Sequence, residues 1–261
     1  MLLPRIIPCL LLHNESLIKS KKFKNFSYVG DPINTVRIFN RLEVDELIFL
    51  DILASKNKYE PPYHLIKNIA DECFMPFTYG GGVSSLEVAN KIFDCGVEKI
   101  AMNSSVINNP KLITEIANKF GSQSVVVSID IKYDFFGKKR IFNHSIRKYT
   151  SLEPLNWGKS VEELGAGEIL LTCVNNEGVW NGLDIKLIKY FTSSLNIPIV
   201  AHGGALSLEN ISRAIKDGGA SGVAVGSMFV YQKKGMGVLI NYPSEAELKK
   251  VITIDKRKKN M

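Results

Sequence analysis

A closed (β/α)8 barrel, α/β in class and continuous over residues 1–261, is the fold this sequence predicts. Three observations carry that reading. Short apolar, β-branched segments alternate with amphipathic ones along almost the whole chain, the pattern of a parallel α/β fold. Eight such strands read in one register, which favours closure over an open sheet. The chain also repeats itself, residues 76–105 aligning with residues 198–227. Pro76 pairs with Pro198, Gly81-Gly82 with Gly203-Gly204, and Ser85-Leu86-Glu87 with Ser207-Leu208-Glu209. After a one-residue insertion Asn103-Ser104 pairs with Gly226-Ser227, and Glu46 pairs with Glu168 at the strand starts. Two half-barrels, about 1–122 and 123–251, with a basic tail over 252–261, account for this symmetry. An open doubly wound sheet has no need of it.

The strands fall near 5–11, 46–52, 76–80, 99–103, 125–130, 168–173, 198–202 and 222–226. The first contains an apolar run, Ile6 to Leu12, far too short to cross a bilayer. It is followed by His13-Asn14-Glu15 rather than a small-residue cleavage site, so a buried parallel strand explains it better than a signal peptide. Helices fit between the strands. Asp31-Pro32 opens the first with a cap and a first-turn proline. Ser84-x-x-Glu87 reads as a capping box for the third, and Asn109-Pro110 opens the fourth.

An apolar content of 45% is enough for a substantial core. The four cysteines (Cys9, Cys73, Cys95, Cys173) and the four histidines stand singly, with no metal-ligand or redox spacing. Reduced thiols, a cytoplasmic setting, no metal and no cofactor are expected. The net charge of +7 comes from basic residues spread along the chain, with no interleaved aromatics, which argues against nucleic acid as partner. The one basic run, Lys256-Arg257-Lys258-Lys259, lies in the tail and reads as solvated. A phosphorylated, anionic small molecule accounts for the balance, and no membrane partner is expected.

In such barrels the site lies at the C-terminal strand ends. Gly82, Gly203 and Gly204 fall there, as do Asn103, Ser104, Gly178, Gly226 and Ser227. Glycines at that face let backbone N–H groups approach an anion closely, although tight βα turns alone would also demand them. Recurrence in both halves, each with a serine beside it, points to two phosphate sites on opposite sides of the mouth. An elongated ligand with a phosphate at each end fits that arrangement. Asp130 ends the fifth strand and is placed for general acid or base work, the alternative being a strand-end cap. Asp51 ends the second strand in the same way with a weaker claim. Lys19 reads as an anion clamp in a polar stretch between the first strand and the first helix, where a solvated loop lysine is the plainer account. At the opposite face Arg5, Glu46, Lys99 and Glu168 stand at strand starts. Taken singly they are ordinary surface charges; taken together they form a ring across the barrel floor.

At these residues the chain resembles the cyclase (synthase) subunit of imidazole glycerol phosphate synthase. The likeness runs through Arg5-Ile6-Ile7, Gly30-Asp31-Pro32, Asp45-Glu46-Leu47, Phe49-Leu50-Asp51, Gly80-Gly81-Gly82, Phe120-Gly121-Ser122-Gln123, Ser128-Ile129-Asp130, Gly165 to Leu170 and Gly203-Gly204-Ala205. The resemblance implies a barrel that takes ammonia from a separate glutaminase subunit docked on its N-terminal face. It makes Arg5, Glu46, Lys99 and Glu168 a gate ring on the ammonia path. It also implies a doubly phosphorylated ribonucleotide at the mouth, where two acids at the ends of strands one and five run lyase and cyclisation steps. Asp130 matches the second acid; the first position holds Leu11. The acidic turn after strand six is replaced by Asn175-Asn176-Glu177-Gly178.

The chain is more similar still to a divergent branch found with polysaccharide biosynthesis enzymes, in Ile7 to Leu12, Lys22-Phe23-Lys24, Tyr28 to Asn34 and Glu72 to Pro76. That likeness implies passage of glutamine-derived ammonia to a sugar amidotransferase. An acid lost from proton transfer costs about 10²–10⁴ in rate. Glu15 and Glu177 are the loop acids that could stand in for it, and neither is compelling in the sequence. Three readings follow: an ammonia-supplying subunit in sugar amidation, an authentic cyclase with a displaced base, and a non-catalytic activator of the glutaminase.

Overall fold

The computed structural model describes residues 3–252, so the basic run at 256–259 lies outside the described residues. Eight parallel strands close on themselves in the order β1 (Arg5–His13), β4 (Leu47–Asp51), β5 (Phe77–Gly80), β6 (Lys99–Met102), β7 (Val125–Tyr133), β10 (Glu168–Cys173), β11 (Ile199–His202) and β12 (Gly222–Val225). Pairing of β12 with β1 through Arg5↔Gly222 and of β7 with β10 through Asp130↔Thr172 completes the ring. The barrel and its strands stand where the sequence put them, β4, β5 and β11 beginning one residue later.

Each strand is apolar on both faces because it has two cores to serve. Successive side chains alternate sides, and the contacts divide accordingly. Ile6, Leu10, Phe49, Val127, Ile169 and Val223 pack outward against the helices. Ile7, Cys9, Ile48, Val126, Leu170, Val200 and Ala224 pack on one another inside the barrel. A near-continuous hydrophobic run with no visible alternation is the expected mark of a strand covered on both faces.

The outer layer comprises α1 (Pro32–Arg41), α2 (Ala54–Asn57), α3 (Tyr63–Glu72), α4 (Leu86–Asp94), α5 (Ser104–Asn108), α6 (Lys111–Phe120), α7 (Pro154–Glu163), α8 (Ile185–Thr192), α9 (Leu208–Lys216), α10 (Ser227–Val230) and α11 (Glu245–Ile252). Asp31 caps α1 as expected, accepting from Asn34 N at 2.8 Å. The expected capping box at Ser84 is a correction: Ser85 is the cap of α4, accepting from Val88 N. Its repeat partner Ser207 caps α9 with nearly the same backbone angles, φ −159° and ψ 165° against −154° and 168°. Asn109-Pro110 does precede α6, but α5 intervenes between β6 and that proline.

Two excursions from the barrel were not anticipated. β2 (Ser16–Lys21) and β3 (Lys24–Gly30) form an antiparallel hairpin that continues from β1. β7 overruns the barrel to pair with β8 (Lys139–Asn143), which pairs with β9 (Lys148–Tyr149). Both rise from the C-terminal face. The first hairpin turns at Lys22-Phe23, both at positive φ (53° and 60°), a turn normally announced by Asn-Gly. Phe23 meets His144 of the β8–β9 turn edge to face at 5.1 Å, so the two excursions touch over the mouth.

Candidate functional site

The four charges at the strand starts close into a ring of alternating sign. Arg5 pairs with Glu46 at 2.5 Å and with Glu168; Lys99 pairs with Glu46 at 2.8 Å and with Glu168 at 3.3 Å. Both glutamates are buried, and Thr78 also donates to Glu46 at 3.4 Å. Burial works against the Arg5 charge, but Glu168 and Glu46 outweigh it and raise its pKa. These are therefore not four independent surface charges. Past the ring comes the apolar interior layer of Ile7, Ile48, Val126, Leu170, Val200 and Ala224.

At the other end of the strands the interior turns polar. Asp130 is buried, accepting from Asn103 Nδ2 at 2.7 Å and from Ser128 Oγ at 3.3 Å. Burial pushes its carboxyl up to about 7, against the pull of hydrogen bonds from Thr172, Ser128 and Asn103 and with a push from the Glu177 charge. A group poised near neutrality suits proton transfer in either direction. Leu11, Asp51, Gly82, Asn103, Ser104, Asp130, Thr172, Glu177 and His202 line one cavity over the axis. Lys19, Glu177, Gly178, His202, Gly203, Gly204, Gly226 and Ser227 line an adjoining one. The two glycine-serine clusters thus sit on opposite sides of the mouth.

Lys19 is the clearest departure from expectation. It lies on β2 rather than in a solvated loop, is 4% exposed, and makes no ion pair among the described residues. Its side chain reaches over Gly226, where a Cβ would come within 2.3 Å of Nζ. A buried cation without a counter-ion is costly unless an anion arrives to meet it. Gly178, at φ +69°, lets the hairpin close: a Cβ there would stand 2.0 Å from Ser20 O. Gly203, at φ +94°, similarly lies against Cys173 O.

Asp51 is placed at the cavity wall, and its Oδ1 accepts from Leu53 N, Ala54 N and Tyr59 Oη, which ties it to its own loop. Ser104 Oγ donates to Asn143 Oδ1 at 3.1 Å. Two lining residues, His202 and His144, carried no usable sequence signal, and a third carried a weak one. His202 is fully buried with Nδ1 at 3.2 Å from Thr172 Oγ1, and burial drives its pKa down to about 3. His144 has both ring nitrogens buried without a hydrogen-bond partner. Burial, then the Arg147 and Lys56 charges, lower its pKa to about 4. Glu177 had been weighed only as an uncompelling loop acid; it is 2% exposed and faces the same cavity as Leu11 and Asp130.

Among the described residues no cluster of His, Cys, Asp and Glu is placed to hold a metal, and no helix is long and apolar enough to cross a membrane. A closed parallel barrel with a charged floor, and with glycine-lined polar cavities at the strand ends, has the architecture of a small-molecule-binding barrel. Residues 5–235 match the model of the histidine biosynthesis protein family, and the chain belongs to that family. It is 47% identical over 244 residues to a protein of Pseudomonas aeruginosa provisionally named imidazole glycerol phosphate synthase subunit hisF2, covering 94% of this chain and 97% of that one. A hisF3 subunit of Vibrio vulnificus, named with the same reserve, is 43% identical over 97% of this chain and 98% of its own. The imidazole glycerol phosphate synthase subunit HisF of Leptospira biflexa is 39% identical, over 86% of this chain and 89% of its own.

The raised Asp130 pKa has a consequence for stability. Between the ordinary carboxylate range and about 7 the folded protein holds a proton that the unfolded chain has lost, so stability falls as pH rises through that window. Asp130→Asn should therefore gain stability over the parent at pH 8 and lose that advantage near pH 4, as read from urea unfolding at both pH values.

Proposed function

We propose that this chain is the synthase subunit of a glutamine amidotransferase complex. In this reading ammonia, released by a glutaminase subunit on the N-terminal face, enters through the charged floor and reacts at the mouth. The observation that carries it is the combination of a closed four-charge ring below with a buried, counter-ion-free Lys19 above. The apolar layer between them is suited to uncharged ammonia and hostile to ammonium. Exposed Leu3 and Phe74 next to strand starts offer apolar contacts for a partner on the floor side.

At the mouth, the cluster of Gly82, Asn103 and Ser104 would take one phosphate, and Lys19, Gly178, Gly203, Gly204, Gly226 and Ser227 the other. The ligand so held is an elongated ribonucleotide phosphorylated at both ends. Asp130, poised near neutrality, would move the protons of lyase and cyclisation steps that yield imidazole glycerol phosphate. Leu11 favours a second reading, in which the ammonia supports amidation of a sugar in surface-polysaccharide synthesis and the ribonucleotide serves as a gating ligand.

Two measurements separate these. With an ammonium salt and the bisphosphorylated ribonucleotide, the purified subunit should form imidazole glycerol phosphate, followed chromatographically; tight binding without product would transfer the weight to sugar amidation. With the glutaminase present, Lys99→Met should depress glutamine-driven turnover while leaving ammonium-driven turnover near that of the parent. Equal effects on both would remove the floor from the ammonia path.

A further inference from the structure

We propose that Glu177 supplies the second proton-transfer carboxylate of the mouth, opposite Asp130, in place of the acid that Leu11 leaves out. This rests on the reading that the ribonucleotide is turned over. Leu11 lies near the C-terminal end of β1, paired with Leu50 on one side and with Ile18 of the hairpin on the other. It is 3% exposed and lines the cavity over the axis, so the strand-one position contributes bulk and no charge. Among the described residues the acids lining that cavity are Asp51, Asp130 and Glu177. Asp51 uses one oxygen to hold its own loop and lines this cavity alone, whereas Glu177 lines both this cavity and the adjoining one that holds Lys19.

Its geometry fits the task. The hydrogen bonds to its carboxylate, from Ser20 Oγ at 3.0 Å and Phe23 N at 3.2 Å, both fall on Oε2. No cation pairs with it among the described residues. Its charge is felt at Asp130 on β7 and also at Cys9 on β1, two residues before Leu11. The other titratable groups on this space are Lys19 from β2, Asp51 from β4, His202 from β11 and His144 from the β8–β9 turn. The hairpin carries the donors that orient Glu177, and Lys22 N adds a bond to its backbone carbonyl at 2.9 Å. The acid is thus positioned by the same segment that covers the mouth.

Two carboxyl groups can run ring closure with no co-reactant. Ammonia first condenses with the ketone of the open-chain (ribulosyl) end of the substrate, whose oxygen leaves as water. The same nitrogen then closes the ring on the formimino carbon as the bond from that carbon to the departing aminoimidazole nitrogen breaks. One proton leaves the incoming nitrogen and one arrives on the departing nitrogen. A carboxylate takes the first and a carboxylic acid gives the second, so protons balance and the pair ends with roles exchanged.

Glu177→Gln keeps an acceptor for Ser20 and Phe23 and removes the acid. Ammonium-driven turnover should fall by about 10²–10⁴, in kcat rather than KM, with one limb of the pH–rate profile lost. The Asp130 carboxyl, followed by 13C NMR, should titrate lower in the variant. Adding Leu11→Asp to Glu177→Gln should restore part of the rate. If the parent turns over and Glu177→Gln matches it, or if Asp130 titrates unchanged, the assignment of Glu177 is wrong and the cyclase reading stands. If the parent itself yields no product, the cyclase reading fails and this role fails with it.

Discussion

Four charged side chains on four different strands, mutually paired and summing to zero, are the constraint on which the rest of the barrel is hung. Arg5 and Lys99 each bridge Glu46 and Glu168, so no member can leave without stranding a charge in a largely buried place. Breaking such an arrangement typically costs several kcal/mol, about 3–5 for a fully buried pair and less at the partial exposure of Arg5. The ring therefore holds β1, β4, β6 and β10 in register at the floor. Because all eight strands run the same way, that register also fixes which residues come level at the far end. Asp130, Asn103 and Thr172 meet at the mouth because their strands are aligned below.

The mouth is less symmetrical than the repeat that built it. Ser85 and Ser207 cap their helices alike, and Asn103 and Gly226 occupy matching bends before α5 and α10. The ligand-facing chemistry has diverged around those shared turns. One side gained a buried lysine delivered by a hairpin; the other gained His144 from the β8–β9 turn, flanked electrostatically by Arg147 and Lys56. Cationic groups thus gather on both flanks of the mouth.

The barrel itself was legible because its signals are redundant. Double-sided burial, helix caps and a self-alignment over 30 residues in each half all pointed to one closed sheet. The floor ring was legible as a pattern of strand-start charges, although only coordinates could show that the four side chains reach one another. What escaped was written in weaker code. The β2–β3 hairpin turns through Lys22-Phe23 without a glycine, and β3 is mostly exposed, so neither turn chemistry nor hydrophobic alternation marked it. Missing the hairpin left Lys19 as an anion clamp in a polar loop rather than on a buried strand, and gave Glu177 no partners. His202 was hidden for another reason: a lone histidine at a strand end has no spacing to betray it, and its role follows only from Thr172 beside it. Asp51 shows how little a strand-end position says by itself: it lines the cavity while its Oδ1 holds Tyr59 and two backbone amides of its own loop.

These features converge on one claim, that the mouth is a two-ended anion site whose far end is completed by Lys19. Isothermal titration of the intact chain with the bisphosphorylated ribonucleotide tests it most directly, repeated with Lys19→Met and against inorganic phosphate. The account predicts one ligand per chain, weakened by phosphate and by loss of the lysine. No binding, or binding indifferent to both, would contradict it.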